Sequence, residues 1–149
     1  MKTLLVTGAS RGVGFEICKQ AAVEGHKVIT LSRNITPLKG MQNIHPFAVD
    51  LSIESALVDF VEEIKTSFRG IDVLINNAGS LINKPFLEIS SSEFEKVYKV
   101  NVFAVATLTR LLLPMINTDG HVLNITSMGG VQGSAKFPAY RPTAVAREP

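Results

Sequence analysis

The sequence has no tryptophan and a single cysteine, Cys18. One cysteine excludes an intrachain disulfide and fits a reducing compartment. Cys18 itself reads as a small apolar residue on a helix. A strong charge of either sign is also missing. Fifteen Lys and Arg against thirteen Asp and Glu leave a formal net charge of +2, too small to point to nucleic acid. The basic residues are scattered, with no basic block and no aromatic interleaving. His26, His45 and His121 show no ligand spacing, so no metal site is expected. Long apolar runs are absent as well. "MKTLLVTGAS" turns into a glycine loop too soon for a signal peptide. "VNVFAVATLTRLLLPMI" carries Asn101 and Arg110 and falls short of the roughly 18–20 uninterrupted residues of a membrane span. The expectation is a soluble, cytoplasmic protein with neither a nucleic-acid nor a membrane partner.

The chain does have enough material for one core. Its 149 residues are 46% hydrophobic and 19% charged, an ordinary globular balance. "TLLVTG" reads as a buried strand ended by glycine, and Gly14 to Glu24 as a helix stopped by Gly25. "KVITLS" is a second strand, and "NIHPFAVDLS" holds a third that ends at Asp50. Ser52 can cap a helix that places Leu57, Phe60, Val61, Ile64 and Phe68 on one face. "IDVLINNAG" is continuous in hydrophobicity, as a strand covered on both faces should be. Ser90 and Glu93 form a capping box that opens a long helix up to Pro114, and "HVLNITS" is a fifth strand.

This alternation predicts an α/β fold, a Rossmann-type doubly wound parallel sheet with helices on both faces. Residues 1–139 form that nucleotide-binding domain, and 140–149 are an atypical tail. "PAYRPTAVAREP" has no apolar periodicity and no sixth strand. The sheet is therefore expected to be incomplete at its C-terminal side, with an uncovered edge.

"TGASRGVG" runs from Thr7 to Gly14, between the first strand and the first helix, with glycines at 8, 12 and 14. Glycines let a backbone approach a pyrophosphate, and a helix N-terminus supplies N–H groups and partial positive charge. The plain alternative is a tight strand–helix turn without a ligand. The second strand bears on which dinucleotide would bind. A site for NAD(H) wants a carboxylate near the end of that strand to meet the ribose 2′-hydroxyl. Here the strand ends in Ser32 and Arg33, with no acid. Arg33 and the loop's Arg11 could instead converge on a 2′-phosphate, which suits the planar guanidinium. NADP(H) is the preferred cofactor, with NAD(H) as the alternative. Asp50 reads equally well as a carboxylate at a helix N-terminus. Asn101 is a poor helix former on propensity, which favours a functional reading. Ser127 sits at a strand end, where serine is common.

Taken in order, "TGASRGVG", "VDLS", "NNAG" at Asn76–Gly79, Asn101 in "KVNVF", Ser127 in "NITS" and Tyr140 resemble the short-chain dehydrogenase/reductase superfamily. The resemblance is closest to 3-oxoacyl-(acyl-carrier-protein) reductases and covers residues 1–140, including the thirteen-residue step from Ser127 to Tyr140. It implies that Gly8, Ser10, Arg11, Gly12 and Gly14 hold the cofactor's phosphates and adenosine ribose; Val13, Ser32 and Arg33 join them as cofactor-binding candidates. It further implies that Asp50 accepts a hydrogen bond from the adenine amino group, with a backbone contact from Leu51. Asn77, Ala78 and Gly79 line the adenosine side, while Asn76 braces the sheet. Asn101 bends its helix and holds a relay water, Ser127 bonds the substrate carbonyl, and Tyr140 donates the proton.

The resemblance also implies a lysine four residues after the tyrosine, but position 144 is alanine. An ammonium there would lower the tyrosine's ordinary pKa of about 10. Arg141 and Arg147 do not stand one helical turn from Tyr140 and do not replace it. Two expectations follow. One is an NADP(H)-dependent oxidoreductase of carbonyl or alcohol substrates such as 3-oxoacyl thioesters. The other is a catalytically inactive nucleotide-binding remnant that lacks the lysine and the family's last third. Family members are usually homo-oligomers, which is the expectation for a complete fold.

Overall fold

A computed structural model describes residues 1–129. Five strands are β1 (Thr3–Thr7), β2 (Lys27–Ser32), β3 (Ile44–Ala48), β4 (Ile71–Asn76) and β5 (Ile116–Asn124). The helices are α1 (Gly12–Val23), α2 (Glu54–Ser67), α3 (Ser91–Tyr98) and α4 (Ala104–Leu112). The strands form one parallel sheet in the order β3-β2-β1-β4-β5. The order reverses between β1 and β4, and this is where a doubly wound sheet opens a crevice for ligands.

Alternating strand residues feed two cores. Leu5, Ile29, Leu31 and Leu74 pack against Leu57, Phe60 and Ile64 of α2 and against Leu108 and Leu112 of α4. Leu4, Val6, Val28 and Ile75 pack on the opposite side with Cys18, Ala21 and Ala22 of α1. Both faces are covered, which is why these strands are apolar without alternation. Burial pushes the Cys18 thiol up to about 12 and keeps it protonated, in keeping with a packing role.

Local chemistry explains the element ends. Gly25, at φ 82°, closes α1: its N–H donates to the Ala22 carbonyl and the His26 N–H to the Ala21 carbonyl, a Schellman ending that needs a left-handed residue. Ser90 and Glu93 form the expected capping box at α3. Lys84 also bonds the Glu93 carboxylate, tying the preceding loop to the helix start. The Lys84 bond, followed by the Ser90 N–H, pulls Glu93 down to about 2 from 4.5. A lowered carboxyl stabilises the folded state fully above its unfolded pKa and ceases to do so as pH falls through the folded one. Between about pH 5 and about pH 2, the thermal midpoint of the wild type should therefore drop further than that of Glu93→Gln. Parallel pH profiles for the two proteins would refute this.

Three expectations are corrected. Ser52 does not cap α2. The N-cap is Ile53, without a side-chain bond, because the Ser52 hydroxyl turns back to Asp50. The long helix up to Pro114 is not uniform: a π-helical turn, Lys99–Phe103, separates α3 from α4, and a 3-10 turn, Leu113–Met115, follows. As a whole, Ser91–Met115 is long and apolar enough, by length and composition only, to cross a membrane. In the fold, its row of Val97, Asn101, Ala104, Leu108 and Leu112 is buried. The fifth strand starts at Ile116 rather than at His121. Asn117 donates to Asp72, and the intervening polar residues are taken up by a register shift between the pairs Ile71–Ile116 and Val73–His121. β5 ends the sheet among the described residues, with Val122 39% and Leu123 49% exposed.

Candidate active site at the strand ends

In a parallel sheet all carboxyl ends lie on one side, and the sequence-predicted residues collect there. Gly8, Ser10 and Arg11 follow β1, and Gly12, Val13 and Gly14 open α1; Ser32 ends β2 and Arg33 follows it; Asp50 and Leu51 follow β3; Asn77, Ala78 and Gly79 follow β4; Ser127 follows β5. Tyr140 and the tail 140–149, with Arg141, Ala144 and Arg147, lie outside the described residues. Among the described residues, none of those predicted for the site lines the apolar cleft of about 700 Å³ between the Phe86–Glu88 turn and α3.

The glycine loop is shaped by its neighbour at the end of β4. Gly8 has φ 69°, and a Cβ on it would lie 2.7 Å from the Ala78 Cα. A Cβ on Gly14 would collide with the Asn77 amide and lie 2.7 Å from the Gly8 carbonyl oxygen. Gly12 has φ 60° and open space around it. Arg11 precedes α1 in extended conformation, and neither a side-chain cap nor an acidic residue occupies the first turn. The helix therefore presents its partial positive charge without an internal counter-charge. A dinucleotide's pyrophosphate fits such a cradle.

Two residues hold this loop in a way the sequence reading did not assign. The Thr7 hydroxyl, buried at the end of β1, accepts the Asn77 N–H at 3.1 Å and the Ala78 N–H at 3.0 Å. The Asn77 amide donates to the Thr7 carbonyl at 2.9 Å and the Gly8 carbonyl at 3.2 Å. Asn77 was expected to line the adenosine side; its side chain is turned into the glycine loop. The available signal was a hydroxyl ending an apolar strand, which sequence alone does not separate from a strand-end threonine. Asn76 braces the sheet as expected, donating to Asn124 at 3.0 Å and to Thr109 of α4 at 3.3 Å.

At the ends of β2 and β3, the Val49 N–H donates to the Ser32 carbonyl and keeps the two turns adjacent. The Ser32 hydroxyl donates to the Asn34 carbonyl at 2.9 Å, and Arg33 is exposed. Asp50 accepts from the Ser52 N–H at 2.9 Å and the Ser52 hydroxyl at 2.7 Å. These bonds hold its carboxyl below the usual range; the Arg33 charge adds to them and partial burial opposes them. Gly8 N–H donates to Leu31 at 2.8 Å, so Arg11 and Arg33 leave from paired strand ends.

Asn101 is buried inside the π turn, where the Ala104 N–H reaches back to Lys99. Its carbonyl oxygen accepts the Ser80 N–H at 2.7 Å, and its amide donates to the Ser80 carbonyl at 2.9 Å. The side chain thus clamps the chain just after Gly79. The helix widens at Asn101, and such turns are frequent at functional sites. Ser127 lies three residues past Asn124, whose Cα pairs with that of Asn76, and its hydroxyl accepts the Gly129 N–H at 3.1 Å. Among the described residues no group of three His, Cys, Asp or Glu side chains could hold a metal ion.

Comparison with known proteins agrees with this geometry. The family described as short chain dehydrogenase matches residues 2–146. The ketoacyl reductase HetN of Nostoc sp. is 38% identical, over 93% of this chain and 52% of that protein. A metagenomic short-chain oxidoreductase solved in complex with NADP superposes with a TM-score of 0.89 at 28% identity, over 97% of this chain and 71% of that one. A 4-hydroxyisoleucine dehydrogenase complexed with NADH also gives 0.89, at 26% identity, over 98% and 64%. The chain spans about half the length of the curated relatives it matches.

Proposed function

This chain belongs to the short-chain dehydrogenase family, and from that premise we propose that it is an NADP(H)-dependent oxidoreductase acting on a carbonyl or alcohol substrate, with 3-oxoacyl thioesters as the favoured class. The observation that carries the reading is the glycine cradle locked at the β1–β4 switch point, with Arg33 where an NAD(H) site would want an acid. The ketoacyl reductase relative supports the substrate class. The neighbour complexed with NADP supports the cofactor, while the neighbour complexed with NADH supports NAD(H) as the alternative.

When bound, the nicotinamide supplies the hydride. The chain's own residues then have four tasks. The α1 N-terminus and glycine loop hold the pyrophosphate. Arg11 and Arg33 bond the 2′-phosphate. Ser127 donates to the substrate's carbonyl oxygen, and Tyr140 transfers a proton to that oxygen as it gains charge. Asn101 holds the Ser80 backbone beside the site and, through its widened helix turn, a relay water. A homo-oligomer is the working unit proposed for the complete fold.

Calorimetric titration with NADPH and NADH tests the cofactor assignment. NADPH should bind more tightly, and Arg33→Ala should weaken it by about 10- to 100-fold while leaving NADH unchanged, as expected for one charge-assisted bond. Equal loss for both dinucleotides would sink the NADP(H) reading. Alanine at position 144 favours a second reading, a nucleotide-binding module without turnover. NADPH oxidation with a β-keto substrate, abolished by Tyr140→Phe, would exclude it.

A further inference from the structure

We propose that Ser52 is a positioning residue that aims the Asp50 carboxylate at the exocyclic amino group of an adenine dinucleotide, making the site selective for adenine over hypoxanthine. The inference rests on the reading that Asp50 faces the adenine, and it assigns a task to a residue outside the cofactor set.

The geometry is specific. Both donors of Ser52, its N–H and its hydroxyl, go to the same oxygen, Oδ1 of Asp50. Oδ2 takes no hydrogen bond among the described residues. A carboxylate has two equivalent oxygens and rotates freely unless one is held. Engaging Oδ1 twice fixes the plane and leaves Oδ2 as the presenting atom. The backbone is held at the same point, because the Ile53 N–H donates to the Asp50 carbonyl at 3.1 Å. This arrangement is also why Ser52 is not the cap of α2. The same bonds keep Asp50 ionised, so Oδ2 only accepts hydrogen bonds. Adenine offers an N–H donor at its exocyclic position. Hypoxanthine offers a carbonyl oxygen, which a carboxylate repels. Discrimination then has an attractive and a repulsive part.

The test is calorimetric titration of the full chain with NADPH and with its hypoxanthine analogue. For the wild type, NADPH should bind at least about tenfold more tightly, as one charge-assisted hydrogen bond predicts. Ser52→Ala should cut that ratio to about threefold or less by weakening NADPH alone, and Ser52→Thr, which keeps the hydroxyl, should retain it. Asp50→Ala should erase it. Thermal melts of each variant accompany the titrations to establish that they are folded. If Ser52→Ala weakens both dinucleotides equally, or neither, while Asp50→Ala erases the ratio, the role of Ser52 is overturned and the Asp50 reading stands. If the wild type shows no discrimination, or binds neither dinucleotide, the Asp50 reading fails and the Ser52 role falls with it.

Discussion

Replacing Gly8 by alanine should destabilise the protein by about 2–5 kcal/mol and abolish dinucleotide binding. Two terms combine. At φ 69° an L-residue suffers a clash between its Cβ and backbone that costs about 1–2 kcal/mol. The new Cβ would also lie 2.7 Å from the Ala78 Cα and 3.0 Å from the Ala78 nitrogen, backbone atoms that cannot rotate away. Forced overpacking of this kind adds about 1–3 kcal/mol. Relief requires the β1 and β4 ends to separate, which breaks the Thr7 and Asn77 bonds that shape the phosphate cradle. Gly12→Ala separates the two terms. Gly12 also has positive φ, but a Cβ there meets nothing within 4 Å, so only the conformational cost of about 1–2 kcal/mol applies. Urea unfolding of both variants, with NADPH titration, is the measurement. Equal destabilisation by the two substitutions would refute a tight β1–β4 contact.

Asn101→Ala should cost about 2–4 kcal/mol and release the segment after Gly79. Asn101 is 1% exposed. Truncation leaves a small cavity and removes the partner of both Ser80 backbone groups, at about 1–3 kcal/mol for each group that water does not reach. Hydrogen exchange gives the specific readout. The Ser80 amide should lose its protection in the variant, while the amides of β1 and β2, bonded within the sheet, keep theirs. A Ser80 amide that stays protected would show that the clamp does not hold this segment.

Much of the scaffold is readable along the chain. Leu57, Phe60, Val61 and Ile64 announce one helix face, and all four are buried in α2. Ser90 and Glu93 announce a helix start, and both capping bonds are present. Gly25 announces a helix stop, and it closes α1 at φ 82°. Such signals are local: side-chain period, capping chemistry and backbone freedom act within a few residues. Ser52 shows where local reading stops. A serine before a helix serves equally well as a cap or as a donor to a preceding carboxylate, and the turn after β3 selects the second.

The sequence by itself determined a doubly wound α/β chain with a phosphate-binding turn after its first strand, because buried strand runs, helical faces and glycine positions are local properties. Tertiary structure decided what each polar side chain at the strand ends holds. Thr7 receives N–H groups from residues 70 and 71 positions away, Asn77 turns into the glycine loop rather than outward, and Asn101 spends its amide on Ser80. A polar side chain takes whichever partner the fold brings within about 3 Å, and pairing β1 with β4 brings together groups that no local pattern connects.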